Sequence, residues 1–295
     1  MKLSRKTAGI LLVAVSAASY GLLPVLSKMG YAAGASVYTL LFLRFSVGAA
    51  FMFALLFLRR LPLPTKREML TYLLVGAFIY TGQSLCYFLA LDHASASVVA
   101  LLLYIYPALV MVGSVLFLKE KVTALKVFAL CLALGGAALI AGTEFSASPL
   151  GILFALASAV IYCVYILINA RVAKPGMGMQ SSAFTMLGTT LAYGLLNVIF
   201  GFTPPTGVRG LTVVALIALI PTVLAFWSFL TGLEMAGPST TALVSTLEPV
   251  VVVISSVLLL NERLTVNVVI GGCLVLAALV VTALPPKEKG EAHGS

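Results

Sequence analysis

Residues Pro249–Thr265 read PVVVVISSVLLLNERLT, and 142 positions earlier Pro107–Thr123 read PALVMVGSVLFLKEKVT. Eight of the 17 positions are identical, and they include the proline, a serine, the glutamate and the closing threonine. Apolar composition inflates matches between lipophilic segments, but it does not put Pro, Ser, Glu and Thr in one register. The same shift lays Gly9–Tyr20 (GILLVAVSAASY) on Gly151–Tyr162 (GILFALASAVIY), with six of 12 identical. The chain therefore reads as one unit written twice, with repeats over 1–143 and 144–285 and a polar tail over 286–295.

Each unit is a series of lipophilic runs. Of the 295 residues 61% are hydrophobic and 9% charged, whereas a soluble domain carries about a quarter charged residues. A helix needs about 20 residues to cross a bilayer core. Ten runs have that length: 8–29, 35–58, 69–91, 95–118, 124–142, 149–172, 179–202, 209–233, 239–260 and 266–284, numbered here as segments 1 to 10. Their connections leave no room for a sizeable soluble domain. Five crossings per unit is an odd number, so the second unit enters the membrane from the opposite side. The expected fold is an all-α membrane protein of ten transmembrane helices, arranged as two inverted five-helix repeats.

The net charge of +9 follows the same plan. With the N-terminus in the cytoplasm, the inner side holds Lys2, Arg5, Lys6, Arg59, Arg60, Lys66, Arg67, Lys119, Lys121, Lys126, Arg171, Lys174, Lys287 and Lys289. The outer side holds Lys28, Arg209 and Arg263, and Arg44 lies inside segment 2. Fourteen against three is a positive-inside pattern with both termini cytoplasmic, in the cell (inner or plasma) membrane. The basic excess thus reads as topology and contact with anionic lipid, not as a nucleic-acid site. Segment 1 has the basic start of a signal peptide, but its match to segment 6 argues that it is retained. Cys86, Cys131, Cys163 and Cys273 all fall within the runs without CxxC spacing. They read as packing residues, with no metal site and no cofactor implied.

The residues resemble the drug/metabolite transporter superfamily, specifically its ten-span EamA-type members. The resemblance rests on the two five-segment halves and on LYIYPALVMVGSVLFLKEKVT with its echo STLEPVVVVISSVLLLNERLT. SYGLLPVLSK in segment 1 and Leu43–Phe45 in segment 2 add to it. It implies a transporter of small metabolites, often an exporter, with a central cavity lined by segments 1, 3, 4, 6, 8 and 9. It also places segment 2 toward the periphery and leaves the substrate open.

One carboxylate sits where a lipophilic run should not have one. Glu248 falls nine residues into segment 9, about 13 Å deep at 1.5 Å per residue, where an acid costs roughly 2.5–3.5 kcal/mol on insertion scales. It should face the bundle interior or a wet cavity, with Ser245 one turn earlier on the same face and Pro249 kinking the helix. Two readings stand: a substrate-amine or proton site, or a structural carboxylate tied to a basic group. Arg44, at similar depth in segment 2, is the expected ion-pair partner; the alternative is that it binds a substrate carboxylate.

Polar faces at helical spacing supply the other candidate cavity residues. Tyr80, Gln83 and Tyr87 share a face of segment 3, Tyr162 and Asn169 one of segment 6, and Tyr20 lies in segment 1 opposite its repeat mate Tyr162. On a continuous helix Tyr104 and Tyr106 cannot share a face, and Tyr104 is taken as the lining residue. Trp227 lies mid-segment, away from the interfaces where aromatic belts form. Pro24, Pro107, Pro221 and Pro249 mark kinks, read either as hinges or as the ordinary tolerance of proline in membrane helices. Gly135–Gly136 and Gly271–Gly272 read as close helix contacts, and Glu120 and Glu262 as matched turn residues.

The expected function is a secondary active or facilitative transporter of small organic metabolites such as amino acids, working by alternating access, with protons as a candidate coupling ion. The expected assembly is a monomer or weak dimer. Proton-coupled export of lipophilic cations is the nearest alternative. An enzyme would show clustered nucleophiles or acid–base groups at depth, and a sensor would need a signalling domain. ATP-driven transport would need a Walker motif.

Overall fold

The computed structural model describes residues 4–94, 99, 102–141, 148–172, 174–260 and 266–283. The tail over 286–295, the turn over 261–263 with Glu262, and most of the first half of segment 4 lie outside these residues, as do the side chains of Pro24, Lys28 and Asp92. Among the described residues every element is a helix. Segment 1 is α1 (Arg5–Gly21) and α2 (Leu23–Ala32), and segment 2 is α3 (Val37–Leu58). Segment 3 is α4 (Lys66–Leu74), a π-helical turn π1 (Val75–Tyr80) and α5 (Thr81–His93). Segment 4 contributes α6 (Tyr106–Leu118), and segment 5 is α7 (Ala124–Ala141). Segments 6 and 7 are α8 (Pro149–Val172) and α9 (Gly178–Phe200). Segment 8 is α10 (Gly207–Ala218), π2 (Leu219–Leu224) and α11 (Ala225–Ala236). Segment 9 is α12 (Pro238–Ser245) and α13 (Glu248–Leu260), and segment 10 is α14 (Val266–Ala283). Seven segments, 1, 2, 3, 6, 7, 8 and 9, are long and apolar enough to cross a membrane, while the apolar helices of 4, 5 and 10 are shorter among the described residues.

The polar residues before the runs start the helices. Ser4 and Ser36 accept from the N–H groups of Thr7 and Thr39, and Thr65 forms a capping box with Glu68. Gly237, at φ 83°, ends α11 and lets the chain turn at once into α12.

The packing carries the repeat into three dimensions. Segment 1 packs on 8 as 3 packs on 6, segment 4 on 6 as 9 on 1, and segment 7 on 3 as 2 on 8. Segments 2 and 7, 4 and 9, and 5 and 10 pack on their own counterparts. Exchanging the two units turns each of these pairs into another, which is the contact pattern of a two-fold relation. It holds for single bonds. The Ser16 hydroxyl donates to the Ala225 carbonyl at 2.8 Å and the Ser158 hydroxyl to the Gln83 carbonyl at 3.1 Å, with both partners 142 positions apart. Gly9 lies against Met235 as Gly151 lies against His93, the same offset again. Gly136 meets the Gly271 carbonyl where segments 5 and 10 cross, as expected, whereas Gly135 and Gly272 face open space.

Segments 4 and 9 are broken rather than kinked, which corrects the expectation of one helix running through Glu248. Pro249 has no N–H to give, and the residue before a proline disfavours the helical region. The chain tightens instead: Leu247 N–H donates to Val244 O at 3.1 Å, Val250 to Leu247 O at 3.1 Å and Val251 to Leu247 O at 3.3 Å. Ile105, Ala108 and Leu109 repeat these bonds to Leu102 O and Ile105 O at 3.3, 3.1 and 3.2 Å. Glu248 is thus the first residue of α13, and its repeat mate Tyr106 is the first of α6. Pro221 accounts for π2 in the same way, and Thr222 Oγ1 takes up the Ile217 carbonyl at 2.8 Å. In π1 the Gly76 carbonyl receives Thr81 Oγ1 at 2.9 Å and Thr189 Oγ1 at 3.1 Å.

One end of the bundle is tied by charge. Arg5 pairs with Glu234 at 2.8 Å, Glu234 also accepts from the Gly176 N–H, and Lys174 pairs with Glu68. Glu120 accepts from Lys126 at 2.8 Å and from the Ser239 hydroxyl at 2.8 Å and N–H at 3.3 Å, so it holds the start of α12. Burial works against this carboxylate, but the Lys126 and Ser239 bonds outweigh it and hold Glu120 below the ordinary value of 4.5. A depressed folded value means that the stabilisation is full above the unfolded value and is lost as pH falls through the folded one. Glu120→Gln should therefore cost about 1–2 kcal/mol at neutral pH, or a few degrees of melting temperature. Its gap to wild type should close as pH drops below the 4.5 of a free glutamate, read by thermal unfolding in detergent.

Candidate functional site

The distorted middles of segments 3, 4, 8 and 9 converge with segments 1, 2 and 6 on a block of rings. Tyr80, which ends π1, lies 5.2 Å from Tyr165 and 4.8 Å from Phe226, centroid to centroid. Phe226 in turn meets Tyr20 at 6.2 Å and Phe45 at 5.8 Å. Tyr162 meets Tyr106 at 4.7 Å, Tyr165 at 5.9 Å and Phe229 at 6.4 Å. Most of these pairs are edge-to-face or tilted, the arrangement ring quadrupoles favour.

The block is not solid. Tyr20 and Tyr162 stand among these rings and Glu248 lies at the break in segment 9, yet each keeps part of its surface open. Open surface on side chains that converge in the middle of the bundle marks a recess among the rings. Glu248 enters it from the break in segment 9. Among the described residues no hydrogen bond or ion pair reaches its carboxylate. Tyr80, Tyr87, Tyr104, Tyr106 and Tyr162 lie within electrostatic reach of it.

Several expectations change here. The Arg44–Glu248 ion pair does not form. Arg44, 2% exposed, donates through Nε to Thr222 Oγ1 at 3.1 Å, reaches the Pro221 carbonyl through Nη2 at 3.5 Å and lies over the Phe45 ring at 4.5 Å. The π-turn presents a carbonyl and a hydroxyl to Arg44, and these local acceptors take the place of the distant acid. Tyr104 and Tyr106 both reach the neighbourhood of Glu248, because the break between them releases the constraint of a continuous helix. Ser245 is buried at the end of α12.

Gln83 and Asn169 are buried but already engaged. Gln83 Nε2 donates to Ser158 Oγ at 3.0 Å, clasping segments 3 and 6, and Asn169 Nδ2 donates to the Tyr165 carbonyl of its own helix at 2.8 Å. Tyr87 stands edge-on to Phe88 at 5.6 Å, beside a small cluster with Ala90 and Ala155. Trp227 is half-buried against the main core. Three of the four prolines open half-helices: Pro24 in α2, Pro107 in α6 and Pro249 in α13. Pro221 lies inside π2.

Phe45, Phe226 and Phe229 escaped the sequence reading as site residues, since a phenylalanine in a lipophilic helix has no contrast with its neighbours. Tyr106 carried a usable signal: the 142-residue shift lays it on Glu248.

Known proteins share this architecture. The EamA-like transporter family matches the chain twice, over residues 7–142 and 149–284. The uncharacterized transporter YcbK of Bacillus subtilis (strain 168) is 26% identical over 287 residues, covering 92% of this chain and 91% of that one. A solved crystal structure of another protein shares 21% identity over 94% of this chain and 97% of its own, with a TM-score of 0.81, and supports the fold alone. Two family matches, end to end, fall on the two halves that the packing relates: the chain belongs to the EamA-like transporter family and is a multi-pass membrane transporter.

Proposed function

We propose that this transporter moves small amine-bearing organic metabolites of the amino-acid type outward across the cell (inner or plasma) membrane. It works as a secondary active or facilitative carrier by alternating access, and protons compete for the same carboxylate. Ten spans in two inverted halves, 1–143 and 144–285, enclose the recess, with both termini and the tail over 286–295 in the cytoplasm. The working unit is a monomer or weak dimer. The observation that carries the reading is Glu248: an acid without a partner, at a helix break, ringed by tyrosines. A buried charge is kept neutral by pairing or by protonation. An ammonium group bound there is neutralised by the carboxylate and faced by aromatic rings, which attract cations through their quadrupole.

Lipophilic cations satisfy the same carboxylate and rings, so their export is the second reading. A membrane-embedded enzyme has less support, because among the described residues the recess carries no nucleophile beside a base. The test is flux into liposomes holding purified protein, measured at several pH values for wild type and Glu248→Gln. Saturable flux whose pH dependence disappears in the glutamine variant is expected. Identical rate and pH profile in both proteins would remove Glu248 from the mechanism.

A further inference from the structure

Arg44 has no task in the reading above. It is a buried cation in the middle of a lipophilic helix, where an arginine is costly. Its acceptors Thr222 Oγ1 and Pro221 O are both neutral. Among the described residues no carboxylate lies within ion-pair distance of it. A guanidinium offers five N–H donors in a planar fork that matches the two oxygens of a carboxylate.

The position of this charge matters. Arg44 lies over the Phe45 ring, which meets Tyr80 edge-on at 5.6 Å, and Tyr80 also lies within reach of the Glu248 charge. Arg44 acts on Tyr20 as well, which borders the recess. Beside them the Tyr165 hydroxyl is buried, 1% exposed, and has no hydrogen-bond partner. An unneutralised cation and an unpartnered hydroxyl therefore lie near the same ring, Tyr80, which is also within reach of the unpaired acid.

We infer that Arg44 is the anion-binding pole of the recess. The transported solute then carries a carboxylate as well as an amine, and lies along Tyr80 with its carboxylate toward Arg44 and its ammonium toward Glu248. This rests on the amine-binding reading of Glu248.

The experiment uses purified full-length protein in phosphatidylethanolamine–phosphatidylglycerol liposomes and matched trios of solutes. Each trio is an L-amino acid, the amine left when its carboxyl group is removed, and the acid left when its amino group is removed. Aromatic, branched aliphatic and hydroxylated side chains are each represented. In at least one trio the amino acid should be carried, with the amine and the acid each at least about tenfold weaker, the worth of one charge-assisted bond. Arg44→Gln should lower amino-acid flux by a similar factor and leave the weak amine flux unchanged, and Arg44→Lys should recover part of it. Wild type that carries an amine as well as its amino acid overturns the inference and leaves Glu248 as an amine site. A parallel loss of both solutes in Arg44→Gln also overturns it, because Arg44 would then act only on the fold. If neither variant folds, discrimination by wild type decides alone. No flux of any amino acid or amine sinks both readings.

Discussion

Glu248→Gln should melt no lower than wild type and transport its solute far more slowly. The two effects have separate causes. A buried carboxylate with no partner costs stability, and an amide of the same shape does not carry that cost. The variant should therefore gain up to about 2 kcal/mol at neutral pH. The bound solute loses its counter-charge in a place where water cannot substitute for it. Losing one partner of a desolvated charge pair costs about 3 kcal/mol, which is roughly a hundredfold in affinity. Thermal unfolding in detergent and flux in liposomes measure the two on the same preparation. A lower melting temperature with unchanged flux would make Glu248 a structural acid.

Gly76→Ala and Gly188→Ala are expected to be the most damaging alanine substitutions in the chain. They lie where segment 3 crosses segment 7. A Cβ on Gly76 would overlap the Thr185 carbonyl, and one on Gly188 would overlap the Leu73 carbonyl. Both obstacles are backbone, so no rotamer change relieves them and the helices must separate. The rings of π1 and α9 would move with them, including Tyr80 and Tyr193, which both pack on Phe45. The loss should be about 3 kcal/mol or more for each, visible as a collapse in yield of folded protein. Gly82→Ala and Gly135→Ala are the controls. Both are helical and open to space on the Cβ side, so each should be neutral or stabilising by up to about 1 kcal/mol. Equally mild effects at all four positions would mean that the crossing is looser than these contacts require.

The plan of the molecule could be read from residue order because membrane helices are specified by length and polarity, both one-dimensional properties. Pro107 and Pro249 were visible as paired kinks, and Tyr20 and Tyr162 as paired rings. What stayed hidden depends on the break itself. A single kinked helix kept Tyr104 and Tyr106 on different faces. The observed half-helices bring both near Glu248, and nothing in residue spacing distinguishes a kink from a full interruption. The partner of Arg44 was hidden for a similar reason. Thr222 Oγ1 and the Pro221 carbonyl take up Arg44 from within the π-turn, which residue spacing alone does not reveal. Gln83 looked like a solute-binding amide, but its clasp with Ser158 depends on which helix lies opposite.

The matched bonds Ser16–Ala225 and Ser158–Gln83 carry a thermodynamic consequence. In an ideal doublet, opening toward one compartment and opening toward the other would be degenerate states, since each is the other with the halves relabelled. The resting bias of a carrier built this way is then encoded by its mismatches. Gln83 adds a bond to Ser158 that Ala225 cannot return to Ser16, and Glu248 carries a charge where its mate Tyr106 has none. Changing such unlike pairs toward likeness should level the two basins, whereas equal changes at like pairs should leave their ratio untouched.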